Sequence, residues 1–129
     1  MAENTNEPAA GVVKCAAFWG RDGKALAAFY AAALGWEVTQ TYGEAAAMIS
    51  DGTTRYVFYT AESFKAPDWP ADELVFHLDL AFRDVAAAEE RLIGLGATKP
   101  AHQPGGKHWT VLLDPSGQPF CISAAGKDG

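Results

Sequence analysis

The chain has 129 residues, 49% of them hydrophobic and 20% charged, with a formal net charge of −6. That length suits one domain with a real core and excludes two independent ones, and the composition excludes intrinsic disorder. No apolar run approaches the ~20 residues that cross a bilayer, and an acidic balance without a basic stripe speaks against a nucleic-acid partner.

Residues 1–10 are polar and lack a basic, then apolar, leader pattern. They read as a disordered tail and not as a signal peptide, which places the protein in the cytoplasm. Cys15 and Cys121 are then expected as reduced thiols. A strand over 11–19 leads to Asp22, whose short carboxylate can accept from the first N–H groups of a helix. Leu26, Phe29, Tyr30, Ala33 and Leu34 recur at helical spacing. Gly35 sits where a left-handed residue would end that helix. Strands over 36–42, 45–51 and 55–61 follow, the last two joined through Asp51 and Gly52. Residues 62–72 hold Pro67 and Pro70 and read as a linker, placed to act as a lid over a cleft.

The same grammar then returns. A strand over 73–82 leads to Asp84, and Val85, Ala88 and Leu92 give a thinner helical stripe that ends at Leu95-Gly96. Strands over 97–101, 107–113 and 119–124 complete the second half, and 125–129 form a tail. Asp22 and Asp84 lie 62 residues apart, Asp51 and Asp114 lie 63 apart. This near-constant offset marks an internal duplication. The expected fold is α+β, a single domain over 11–124 made of two strand–helix–three-strand modules, 11–61 and 73–124.

Period-two alternation separates the faces of each strand. Phe76, Leu78, Leu80 and Phe82 form a wholly apolar face that should pack on the helix. Val75, His77, Asp79 and Ala81 form the other. A His and an Asp on an otherwise apolar strand need water, partners or a ligand, so this face should line the cleft. Carried across by the 62-residue offset, the matching face of the first strand is Val13, Cys15, Ala17 and Trp19. In the last strand Cys121 and Ser123 face inward, and the 63-residue offset assigns Phe58 and Thr60, with Tyr56, to the fourth strand. Trp19, Tyr56 and Phe58 could stack on a planar ligand. Between His108 and Trp109 the pattern does not choose.

Phe29-Tyr30 with Leu34-Gly35-Trp36, the strand Phe76-His77-Leu78-Asp79-Leu80, the turn Gly94-Leu95-Gly96-Ala97 and the run Asp114-Pro115-Ser116-Gly117-Gln118-Pro119-Phe120 carry a resemblance across 11–124. The sequence resembles the glyoxalase/bleomycin-resistance/extradiol-dioxygenase (vicinal oxygen chelate) superfamily. The resemblance implies paired βαβββ modules forming a curved, cleft-enclosing sheet. Metal-dependent members take ligands from one inward residue in the first and last strand of each module. Those positions here are Cys15, Phe58, His77 and Cys121, of which only His77 is a usual ligand, so hard divalent ions and a dioxygenase iron are not expected.

The leading expectation is a metal-free binding protein that sequesters an aromatic or bulky molecule such as an antibiotic, through Cys15, Trp19, Tyr56, Phe58, His77, Asp79 and Cys121. A second reading is a lyase- or isomerase-type enzyme using His77, Asp79 or Cys121, with or without zinc on Cys15, His77 and Cys121. The resemblance also implies a homodimer, with Trp36 or Trp69 at the contact.

Overall fold

A computed structural model describes residues 11–74 and 76–125. The expected tails, save Ala125, and the side chain of Val75 lie outside the described residues. The first module runs β1 (Ala16–Gly20), α1 (Gly23–Leu34), β2 (Glu37–Tyr42), β3 (Ala46–Ser50) and β4 (Arg55–Thr60). The second runs β5 (Asp79–Phe82), α2 (Val85–Gly94), β6 (Thr110–Leu113) and β7 (Pro119–Ala124). The architecture is α+β, with a four-stranded sheet ordered β1-β4-β3-β2 and a three-stranded sheet ordered β5-β7-β6. In each, the first strand pairs parallel with the last.

Helix α1 begins where expected. Asp22 accepts from the Ala25 N–H at 3.1 Å, and Gly35 closes the helix at φ 72°, a conformation that costs glycine little. Its apolar stripe is buried at Leu26, Phe29, Tyr30 and Ala33. Asp84 caps α2 in the same way through the Ala87 N–H, but only Ala88 and Leu92 of that helix are buried.

Four expected strands are clearly shorter than the pattern predicts; one of them, expected over 107–113, keeps only Thr110–Leu113, because 107–109 belong to the glycine-containing turn before it. Parallel partners for β1 start at Arg55–Tyr56, so 11–15 have nothing to pair with, and Val12 and Val13 are exposed. The strand expected over 73–82 keeps only Asp79–Phe82, because its partner β7 begins at Pro119, which has no N–H to extend the ladder. Upstream of that point the alternation lapses: Phe76 is 73% exposed and does not pack on α2, while Leu78, Leu80 and Phe82 do join the core. The strand expected over 97–101 is reduced to one bridge, Thr98 to Leu113. Pro100 ends it for the same reason.

A side chain replaces the missing ladder. The Gln103 amide donates to the carbonyls of Pro100 and Val111 and accepts from the Val111 N–H, all at 2.9 Å. It hydrogen-bonds to β6 as a neighbouring strand would.

The modules meet on their helix sides. Tyr30 of α1 stacks on Phe58 of β4 (5.3 Å between centroids) and meets Phe120 of β7 edge-on (5.8 Å). Its hydroxyl donates to Asp114 at 2.8 Å in a buried bond that crosses between modules. The other Asp114 oxygen accepts from the N–H groups of Ser116 and Gln118. Around this point Gln118 donates to the Trp19 carbonyl, and the Arg21 N–H donates to Ser116. The Asp-Pro-Ser-Gly turn is therefore the clasp between the modules.

Candidate functional site

The helix-free face of the second sheet holds the expected polar residues. His77 Nε2 lies 3.2 Å from Asp79 Oδ1, and Asp79 is paired across the parallel ladder with Cys121. One donor atom from each of His77, Asp79 and Cys121 falls within 4.8 Å of the other two. The Cys121 thiol is pushed up, first by burial and then by the charge and hydrogen bond of Asp79. It stays protonated at neutral pH, which is unhelpful to a nucleophile.

This face floors a cavity of about 490 Å³. Its walls come from the linker (Trp69, Leu74) and from the loop before β6 (Pro104, His108, Trp109), with Val111, Pro119 and Ser123 beside the polar cluster. Both His108 and Trp109 reach it. A Cβ at Gly105 would meet the Trp109 ring at 2.5 Å and its carbonyl oxygen at 2.5 Å, so the glycine is what allows the indole to lie against its own turn. Trp69 leans on His102 with 5.4 Å between ring centroids, tying the linker to that same loop.

A second cavity of about 310 Å³ lies at the seam between modules. Trp19, Phe58 and His77 line it together with Tyr30, Phe64 and Phe76. His77 borders both spaces. Of the seven expected ligand contacts, Asp79 and Cys121 line the larger cavity, Trp19 and Phe58 the seam, and His77 both. Cys15 and Tyr56 line neither of these two.

Two orientations differ from the pattern. Phe58 and Tyr56 lie on the helix side of their sheet, Phe58 fully buried and Tyr56 packed on Phe18 and Trp36. The cause is one residue. Residues 51–54 join β3 to β4, whereas 114–118 join β6 to β7, so the true offset on the last strand is 64, not 63. A slip of one exchanges the faces of a strand. The counterpart of Cys121 is therefore Val57, and that of Ser123 is Tyr59. Trp19 does face away from α1, stacked on Tyr59 at 5.1 Å.

The four positions from which the superfamily's metal ligands come are thus Cys15, Val57, His77 and Cys121. Val57 has no donor atom, and Cys15 is not gathered with the others. These residues do not fit a four-ligand site. The donor set present is His77, Asp79 and Cys121, all from the second module.

Pattern reading left Val111 and Trp69 out of the cavity and left Trp109 open against His108; both His108 and Trp109 line it. Parity on β6 would have found Val111: Leu112 is buried with Phe120, so 111 and 113 share the opposite face. Trp69 was expected at a subunit contact, and Trp36, its companion there, packs against the core. No helix among the described residues is long and apolar enough to cross a membrane.

Comparison with known proteins agrees with this construction. No curated protein matches the chain. Among solved structures, a glyoxalase/bleomycin resistance protein/dioxygenase family enzyme from Burkholderia phytofirmans is 21% identical, covering 88% of this chain and 98% of its own, with a TM-score of 0.65. A genomically encoded fosfomycin resistance protein from Listeria monocytogenes is 14% identical, covering 92% and 94%, with a TM-score of 0.67. A bleomycin-binding protein solved with bleomycin is 18% identical, covering 90% and 100%, with a TM-score of 0.56. At such identities the likeness is one of fold. The model of the glyoxalase-like domain matches residues 16–123, and the chain belongs to that family.

Proposed function

We propose that the protein binds a small molecule without a metal, sequestering an aromatic or bulky compound such as an antibiotic in the cavity of the second module. The observation that carries this reading is the 490 Å³ space over β5–β7, with two indoles in its walls and a few polar groups converging at its floor. Cavities of this size and lining suit drug-sized ligands. Bleomycin-binding and fosfomycin-resistance proteins share the fold, which is consistent with the reading. The place of action is the cytoplasm, where Cys15 and Cys121, both free, would stay reduced.

The protein acts as a homodimer in this proposal. Trp19, Tyr59, Ala46 and Tyr42 form one cross-strand row on the helix-free face of the first sheet, and the three aromatics are each more than a third exposed. A second copy covering that row is the expected arrangement. Sedimentation of the wild type should give a dimer that Trp19→Asp weakens; a monomer at all concentrations removes this part.

The ligand test is a fluorescence titration with a panel of aromatic antibiotics. Saturable quenching is expected for at least one, with an affinity about tenfold or more weaker in Trp109→Ala. Quenching that saturates for none sinks the sequestration reading.

One observation favours a second reading, an enzyme of the same superfamily: His77, Asp79 and Cys121 converge closely enough to share a proton or a zinc ion. Metal analysis of protein purified without added zinc separates the two. One zinc per chain, lost in Cys121→Ser and His77→Ala, would overturn the metal-free proposal.

A further inference from the structure

We infer that the larger cavity selects an organic cation, an amine or guanidine carried on an apolar or aromatic body. The inference rests on the reading of that cavity as the ligand site, and adds the charge of the ligand.

The charge inventory of the walls comes first. Asp79 is the one carboxylate among the residues that line the cavity, and neither Lys nor Arg is among them. Its side chain is 75% exposed, so a ligand can reach it. An anion entering here would meet an uncompensated carboxylate. A neutral ligand would gain at most a hydrogen bond from it. A cation would be paired.

The walls add a second source of selection. Trp69 and Trp109 line the cavity, and the negative quadrupole of an indole attracts an ammonium or guanidinium that comes within about 6 Å of the ring. Val111, Pro119 and Leu74 supply the apolar surface for the rest of the ligand. The net charge of −6 favours the approach of a cation over that of an anion.

Two histidines stand near the carboxylate: His77 Nε2 lies 3.2 Å from Asp79 Oδ1, and His108 also lines the cavity. The Cys121 thiol, kept protonated beside Asp79, adds no charge.

Calorimetry with three ligands on one body tests this: phenethylammonium, phenethyl alcohol and 3-phenylpropionate. Wild-type protein should bind the ammonium at least tenfold more tightly than the alcohol, and the carboxylate most weakly. Asp79→Asn should erase the difference between ammonium and alcohol, Asp79→Glu should restore part of it, and Trp109→Ala should weaken both. Equal binding of ammonium and alcohol by the wild type, or a preference that survives Asp79→Asn, overturns the cation inference while leaving the cavity as a ligand site. No binding of any of the three, together with no saturable antibiotic, removes the cavity reading itself. Asp79 is exposed and outside the core, and a thermal melt confirms that its variants are folded.

Discussion

The two modules share a topology but divide the labour. The first has a four-stranded sheet, a long ladder and a helix with seven buried residues; the second has three strands and a helix with two. What the second module loses as strand it regains as loop, and that loop carries Pro104, His108 and Trp109 into the cavity wall. Regular structure satisfies backbone groups cheaply, so a module that gives up a strand needs another way to satisfy them. Gln103 supplies it for β6. The difference teaches that the first module acts mainly as a platform, and that the freedom to shape a site sits in the second.

The largest test of that division is the clasp that makes one core of two modules. Asp114→Ala would leave the Tyr30 hydroxyl and the N–H groups of Ser116 and Gln118 without their acceptor. The expected loss is on the order of 3–5 kcal/mol, from buried donors left unpaired. Urea unfolding measures it, and a loss below about 1 kcal/mol would mean the modules hold together without the clasp. The pH dependence sharpens the point. Burial holds the Asp114 carboxyl above its ordinary value, despite the hydrogen bonds that act to lower it. A folded value above the unfolded one gives stability that is complete below the unfolded value and is lost as pH rises through the folded one. Asp114→Asn should remove that slope in the mildly acidic range. Tyr30 is raised too, by burial first and then by Asp114. Its contribution should be lost on going above about pH 10, where an unfolded tyrosine ionises, and Tyr30→Phe should remove this alkaline slope.

How far the sequence reaches can be read from the same residues. The duplication, both caps and the α1 stripe were legible because each rests on local chemistry with a fixed spacing. Asp79 and Cys121 were legible as one face because alternation holds over β5 and β7, and His77, just before β5, stays close enough to join them. Phe58 and Tyr56 were not, because one additional residue in a turn leaves no mark on either strand and yet reverses the faces beyond it. The loss of 97–101 as a strand follows from Pro100, a signal that was present in the sequence but set aside in favour of the repeated module pattern. Trp109 depended on a loop conformation set by Gly105 and Gln103, which no period describes.

A smaller effect should follow from Gln103→Ala. It removes three hydrogen bonds from the loop and from Val111, at a cost of about 2 kcal/mol. If the modules differ as argued, the damage stays local. Hydrogen exchange should quicken at Thr110–Leu113 and remain slow at Ala46–Ser50, and affinity for any cavity ligand should fall as Trp109 loses its seat. Uniform loss of protection across both sheets would instead mean that the second module is as integral to the platform as the first.

The smallest expected effect concerns a helix end of the first module that the second module completes. Helix α1 has no basic residue in its last turn, where a positive charge would offset the partial negative charge of the unpaired carbonyls. Arg91 of α2 reaches across and donates to the Ala32 carbonyl at 2.8 Å. Because the contact is exposed, it should be worth about 0.5–1 kcal/mol. Arg91→Met keeps most of the aliphatic stem and removes the charge, so its loss should be near that value in low salt. The loss should shrink in high salt, where the charge–dipole part is screened. Arg91→Lys should recover part of it. A loss independent of salt would assign Arg91 to packing alone, and the first module would then need nothing electrostatic from its neighbour.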